Sequence, residues 1–333
     1  MAKYYVTDTQ LSSIANAIRA KTGLNSPLVF PNGFISEIEA IESNSSSNLV
    51  DIFAERTYSE LIGQNASFIG SSAFVSCSTL MTAIFPEVTS IGWYAFSRCY
   101  SLATVSFPKA ITIGRCAFGF CSALTSVSFS KVTTIEQQAF ADCSSLTTVY
   151  FPEATTIEMH AFTGCTALLE ANFPEVTTIG ADAFYENFAL QTANFPKATT
   201  ISSYTFQENS ALTTVSFPEL TSIAYAAFKS CVTLTTVSFP KVTTINTSGF
   251  ANCYSLTTAY FPKVESISAY AFQNCSALKS LYLLGSQYCT LSSTVFYNTF
   301  FSVSGNIYVP ASMLSGYMTR SVFSSYSSRL VGV

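Results

Sequence analysis

The stretch Ile223-Ala224-Tyr225-Ala226-Ala227-Phe228-Lys229-Ser230-Cys231-Val232-Thr233-Leu234-Thr235-Thr236-Val237-Ser238-Phe239-Pro240-Lys241-Val242-Thr243-Thr244 is followed at once by another Ile, and the pattern starts again. Between Ile69 and Leu283 the phrase Ile-x-x-x-Ala-Phe-x-x-Cys-x-x-Leu-x-x-Val-x-Phe-Pro-x-Val-Thr-Thr occurs ten times without a change of length. Its first Phe stands at 74, 96, 118, 140, 162, 184, 206, 228, 250 and 272, a period of 22 residues, and an eleventh copy at Phe296 comes two residues late. A fixed period in this range is the signature of a solenoid, in which each repeat buries its apolar face only against its neighbours.

The interior of the phrase divides into three pieces. Leu-x-x-Val-x-Phe-Pro, as in Leu212 to Pro218, alternates as a strand with Val and Phe inward, and Pro ends it because it has no N–H for a continuing ladder. Val-Thr-Thr-Ile, as in Val242 to Ile245, is a second short extended segment. Ala-Phe-x-x-Cys is expected to be a turn of helix or 3₁₀ on the opposite side. Leu, Val, both Phe, Ile and Ala then stack into continuous ladders. The fold expected is a solenoid of short parallel β-strands with helical or 3₁₀ turns.

The cysteines follow the same frame. Cys77, Cys99, Cys121, Cys143, Cys165, Cys231, Cys253 and Cys275 occupy one slot, which Asn187 and Asn209 fill in two repeats. A slot that accepts Cys or Asn asks for a small side chain able to hydrogen-bond a buried turn backbone. Stacked side chains point in parallel, which suits a disulfide badly. Reduced structural thiols are therefore expected. Zinc is not, since paired C-x-x-C spacing is absent and the chain has one His.

Composition narrows the function classes. Only 10% of the 333 residues are charged and 49% are hydrophobic, with 29 Phe and 18 Tyr, so the chain must fold. A net charge of −4 makes nucleic acid and anionic membrane poor partners. Ser and Thr break every apolar run long before a membrane span of about 18 residues, so no membrane insertion is expected. Met1 to Tyr5 is followed by Val6-Thr7-Asp8 rather than an apolar leader. Three readings remain: the chain stays inside, leaves by a route such as phage release, or has had a leader removed.

The ends differ from the array. In residues 1–42, Asp8 can cap a helix carrying Leu11, Ile14, Ala15 and Ile18 that stops near Lys21 and Gly23, and Phe34, Ile38 and Ile41 suggest a second short helix. This helical hairpin is too small to bury much apolar surface alone. It is read either as a cap on the array or as an attachment or homo-oligomerisation module. Residues 43–48 form a polar linker. The solenoid spans 49–284, its degenerate first coil supplied by Leu49, Ile52, Phe53, Leu61, Ile62 and Ile69. Residues 285–333 hold the last repeat and a C-terminal cap: Tyr297-Asn298-Thr299 replaces the Cys turn, Ile307 to Pro310 reads as a last strand, and Ala311 to Met318 can form a helix.

The repeat resembles the BspA-type (Treponema pallidum-type) leucine-rich repeat, with its Leu-x-x-Val-x-Ile-Pro and Ile-x-x-x-Ala-Phe-x-x-Cys, over about two thirds of the chain. This array carries Phe before Pro, as in Phe107-Pro108 and Phe151-Pro152, where that family usually has Ile or Leu. Asp8 to Ile41 also resembles a module at the front of repeat proteins and phage tail-associated proteins of Gram-positive gut bacteria, through Ile18-Arg19-Ala20-Lys21-Thr22-Gly23 and Pro31-Asn32-Gly33-Phe34. The resemblance implies a non-catalytic surface that recognises a cell-surface glycan or protein, as a bacterial adhesin or a phage-type receptor-binding protein. The implied location is extracellular, on a cell surface or a virion. A purely structural spacer holding residues 1–42 is the alternative.

No catalytic set emerges from the residues. His160 is the single His and sits at a variable position, and no glycines have phosphate-loop spacing. The residue after Pro is Glu87, Lys109, Glu153, Glu175, Lys197, Glu219, Lys241 or Lys263, mixed signs that make a soluble rim and not a carboxylate pair. The chain is expected to be no enzyme, with neither cofactor nor metal. Binding information can reside only where repeats differ. On the strand face the residue between Val and Phe includes Tyr150, Asn172, Asn194, Tyr260 and Tyr282. On the turn face the variable slots hold Trp93, Tyr94, Tyr100, Phe120, Tyr185, Phe188, Tyr204, Tyr225, Tyr254 and Tyr270. Tyr and Trp among Ser, Asn and Gln give stiff apolar area with polar tips, the mixture recognition surfaces favour. The turn face, denser in aromatics, is the preferred candidate.

Overall fold

The computed structural model describes residues 59–63, 66–299 and 305–333. The hairpin expected in residues 1–42, the linker 43–48, and Leu49, Ile52 and Phe53 of the first coil lie outside the described residues. The chain divides into two compact units, Met1–Pro152 and Glu153–Val333.

In the first unit, Glu60–Ile62, Thr82–Ile84 and Thr104–Ser106 pair in parallel, as do Ser126–Ser128 and Thr148–Tyr150. A second row of two-residue strands, Phe68–Ile69, Ser90–Ile91, Thr112–Ile113 and Thr134–Ile135, runs beside them, also parallel. The second unit repeats the plan. Glu170–Asn172, Thr192–Asn194 and Thr214–Ser216 form one parallel sheet. Thr236–Ser238, Thr258–Tyr260, Ser280–Tyr282, Asn306–Val309 and Leu330–Gly332 form another. Its two-residue strands run from Thr156–Ile157 to Thr200–Ile201 and from Ser222–Ile223 to Thr290–Leu291. Partners are 22 residues apart, as in Thr192 with Thr214. The late copy stretches this to 24 at Ser266 with Thr290 and 26 at Ser280 with Asn306. The parallel leucine-rich-repeat solenoid expected from the period is the fold observed.

Two columns of stacked Phe rings fill the core. In the second unit, Phe162, Phe184, Phe206, Phe228 and Phe250 stand at centroid spacings of 5.3, 5.3, 5.4 and 5.4 Å. Phe173, Phe195 and Phe217 stack beside them at 5.4 and 5.2 Å. The ladder Leu, Ile and Ala side chains are buried with them. Each buried Phe contributes about 1.5–3 kcal/mol from apolar burial alone, which is why the ladder positions do not vary.

The Ala-Phe-x-x-Cys segment is not the expected turn of helix or 3₁₀. Alternate N–H groups leave the coil: Tyr94, Phe96 and Arg98 donate to the carbonyls of Arg115, Ala117 and Gly119 in the next coil at 2.9, 2.7 and 2.8 Å. Ala95, Ser97 and Cys99 instead bond three residues back, to Gly92, Tyr94 and Phe96. A helix needs every N–H for its own ladder, so this division of donors excludes one. The chain closes tight turns by placing Tyr94 and Arg98 at φ 56° and 61°, and the same two slots are left-handed in the following coils.

The Cys slot anchors that turn. Cys231, Cys253 and Cys275 donate Sγ–H to the carbonyls of Phe206, Phe228 and Phe250, 25 residues earlier, at 3.2, 3.2 and 3.1 Å. Asn209 makes the same bond through Nδ2 to Phe184 at 2.8 Å, and Thr299 makes it to Phe272 in the late copy. All ten cysteines are buried free thiols.

After Val309 the chain forms a 3₁₀ turn, Ala311–Met313, and two short helices, α1 (Leu314–Thr319) and α2 (Ser321–Ser324), before the last strand. Tyr317 of α1 is fully buried, and its hydroxyl accepts the Cys289 N–H at 2.9 Å.

Candidate functional site

The strand-face residues stand in one slot and come together in the second unit. Tyr260, Tyr282 and Tyr308 are paired in register across three strands. Tyr282 and Tyr308 lie parallel at 4.4 Å, and Tyr260 meets Tyr282 at 5.7 Å with a tilt of 51°. Stacked rings occupy each other's faces, so this ladder presents ring edges and hydroxyls outward. Asn172 and Asn194 form a matching amide ladder, the Nδ2 of Asn194 donating to the Oδ1 of Asn172 at 2.9 Å. Tyr150, in the first unit, is exposed. Tyr308 was missing from the expected set. Its signal is Ile307-Tyr308-Val309-Pro310, which repeats the strand phrase after the two-residue delay.

The turn-face residues do not form one patch. Trp93 and Tyr225 stand three residues before the first-column Phe, and Tyr94, Tyr204 and Tyr270 two before. Tyr185 stands one after it, Phe120 two after, and Tyr100, Phe188 and Tyr254 four after. In the first unit Trp93 is 58% exposed and lies over Gly114, where any Cβ would come within 2.7 Å of the indole. Arg98 sits over the Phe120 ring at 5.8 Å. In the second unit Tyr204 meets Tyr225 edge-on at 5.1 Å, and Tyr270 meets Tyr297 at 5.9 Å. Phe188 and Tyr254 share a slot but are separated by two intervening coils.

Around Tyr185 the turn side of the second unit becomes acidic. The Tyr185 hydroxyl pKa is pushed up to about 12, first by a hydrogen bond with Glu186, then by burial and the charges of Glu208, Glu186 and Asp182. Burial also raises the Asp182 carboxyl above its ordinary value, against a smaller opposing pull from His160. Gln207 is 9% exposed, with Nε2 on the Glu208 carboxylate at 3.2 Å and no hydrogen-bond partner for Oε1. In the coil before, neither polar atom of the buried Asn187 amide has a partner. The sequence reading missed Glu186, Glu208 and Gln207. The available signal was Glu, twice in succession, in a slot filled elsewhere by Ser, Arg, Phe, Asp, Gly and Asn.

These groups are poorly suited to nucleophilic or acid–base work. Burial pushes the Cys143, Cys253 and Cys289 thiols up to about 12, where the reactive thiolate is scarce at neutral pH. His160 is half-buried with Nδ1 3.3 Å from Thr163 Oγ1. Among the described residues no three His, Cys, Asp or Glu side chains are grouped to hold a metal. No helix among them is long and apolar enough to cross a membrane.

Solved structures similar to this chain include a leucine-rich repeat protein from Bacteroides ovatus, 21% identical, covering 68% of this chain and 87% of its own, with TM-score 0.32. A leucine rich cell surface protein from Faecalibacterium prausnitzii is 23% identical, covering 74% and 83%, with TM-score 0.33. The T. pallidum leucine-rich repeat protein is 22% identical, covering 53% and 75%, with TM-score 0.38. Among curated proteins none matches the chain. The family model of the BspA type leucine rich repeat region matches residues 51–157, 153–257 and 199–328. With most of its length inside those matches, and with the repeat carried by stacked Phe and Cys columns, the chain belongs to the BspA type leucine-rich repeat family.

Proposed function

We propose that the protein is a non-enzymatic recognition scaffold for a protein or glycan on a cell surface, working as an adhesin or a phage-type receptor-binding protein. In this reading residues 1–42 attach or oligomerise it, and residues 43–48 link them to the array. One observation carries the reading. The slots that hold the fold are buried and nearly invariant, whereas the slots that change from coil to coil are outward and hold Trp93, Tyr94, Tyr150, Tyr204, Tyr225 and Tyr260. Large apolar side chains left in water cost stability and gain nothing for packing, so contact with a partner is the economical explanation.

The test is binding of the full chain to arrays of host glycans and surface proteins. Replacing Trp93 and Tyr94, or Tyr185 and Tyr204, by Ala is expected to weaken the bound signal at least about tenfold, as loss of aromatic anchors does at interfaces. Unchanged binding in both variants rejects the turn side as the recognition surface. Absence of any binding by the parent favours a structural spacer. Size in solution tests the role of residues 1–42: a monomer counts against oligomerisation.

A further inference from the structure

The tyrosines of the second unit are held in two geometries. On the strand face Tyr282 and Tyr308 lie parallel at 4.4 Å, each covering a face of the other. On the turn side Tyr270 meets Tyr297 edge-on, at 5.9 Å and 84°. An edge-to-face contact uses one face of one ring only. Much of the remaining ring surface is left to solvent, since Tyr270 is 37% exposed and Tyr297 52%.

Amides stand beside this pair. Asn252 and Asn274 fill one slot in successive coils, the Nδ2 of Asn274 donating to the Oδ1 of Asn252 at 2.7 Å, and Asn298 follows in the same slot, exposed. The backbone holds amide and ring together, because the Asn274 N–H donates to the Tyr297 carbonyl at 3.1 Å. An amide has two N–H donors and an oxygen with two lone pairs, so one bond along the ladder leaves capacity for both donating and accepting. Charge is missing from these turns. Segments 246–256, 268–278 and 292–299 contain no Asp, Glu, Lys, Arg or His, whereas each of the four turns before them in the second unit is charged, as at Glu158, Asp182, Glu208 and Lys229.

We propose that the turn side of the coils carrying Phe250, Phe272 and Phe296 binds an uncharged pyranose saccharide, seated on Tyr270 and Tyr297 and hydrogen-bonded by Asn274 and Asn298. The proposal deepens the recognition reading and rests on it, naming a neutral glycan as the ligand class. A pyranose presents a face of C–H bonds that suits the electronegative face of a phenol ring. Its hydroxyls donate and accept at once, as the amides do. A charged ligand of either sign would give up water here without meeting a counter-charge. A protein partner fits less well, because two rings and three amides fall far short of the about 800 Å² a side that a standard interface buries.

The probes are four neutral homotrimers, of glucose, galactose, mannose and N-acetylglucosamine, offered to the full chain. Saturation-transfer NMR detects binding and calorimetry measures its affinity. At least one trimer is expected to bind, to keep its affinity as salt is raised, and to lose about tenfold or more in Tyr297→Ala. Tyr297→Phe, which keeps the ring, is expected to stay within about twofold of the parent. Thermal midpoints check that the variants fold, and Tyr270→Ala stands in if Tyr297→Ala does not. Absence of binding by the parent overturns the proposal, as does equal affinity in Tyr297→Ala, or binding of a galacturonic acid trimer in place of the neutral ones. A parent that binds proteins on the arrays but no trimer loses this site and keeps the recognition reading. A parent silent in both experiments loses both.

Discussion

A left-handed residue is the smallest unit on which this fold depends. Each of the ten regular coils places a residue two before and two after the first-column Phe at positive φ, whatever its side chain, and the late copy keeps only the second, at Asn298. A Cβ in that region costs about 1–2 kcal/mol relative to glycine. Gly164, at φ 70°, stands in the second slot, so Gly164→Ala is expected to lower stability by about 1–2 kcal/mol in urea unfolding. Ser230→Gly, at φ 62°, is expected to raise it by up to about 1 kcal/mol. Charge supplies a test of opposite character. Because burial raises the Asp182 pKa, the folded protein takes up a proton more readily than the unfolded one. The stability this gives is present at low pH and is lost as pH rises through the folded value. Asp182→Asn should therefore have the higher thermal midpoint at pH 7, with the difference closing below about pH 4. The thiols respond to burial as well. An aromatic disulfide reagent at pH 8 should titrate all ten cysteines after unfolding and few before it. Cys116, 8% exposed and hydrogen-bonded to the Gln138 amide oxygen at 3.3 Å, should react first.

At the scale of the element, the closing strand Leu330–Gly332 covers the edge left open by Asn306–Val309. Leu330 and Phe323 bury the apolar side of this closure. Deleting residues 325–333 is expected to expose that edge and cause concentration-dependent association, visible by light scattering, because an unpaired strand edge is a template for another chain. The strands and ladders were legible in the sequence, since period-2 alternation and Pro after Phe are local rules that each coil obeys. The Cys slot was legible too, because Asn209 makes the bond that Cys makes, although Asn187, whose amide has no partner, does not. The turn was not. Ala-Phe-x-x-Cys has ordinary helix formers, and the donors that exclude a helix are committed to carbonyls 21 residues away, as Tyr94 is to Arg115. The candidate site was half legible for the same reason. Slot arithmetic aligned Tyr260 with Tyr282, but could not tell that Tyr185 hydrogen-bonds its own neighbour Glu186 and feels the charge of Glu208, which belongs to the next coil.

For the molecule as a whole, the constant register makes length a free variable within each unit. Deleting one full period, Lys229 to Phe250, joins Phe228 to Ala251 and returns every slot to an equivalent neighbour. Such a variant is expected to keep its parent's circular dichroism per residue and to unfold cooperatively, while removing half a period should abolish both. The exposed indole that crosses Gly114 adds an experimental handle. Trp93 is the single tryptophan of the chain. Its emission therefore reports on one spot of the first unit without any label, against a background of tyrosines that can only feed it energy. Quenching by iodide should be efficient in the free protein. Any partner that seats on that side must turn the emission blue and shield it from the quencher, whereas a partner held elsewhere would leave the light unchanged.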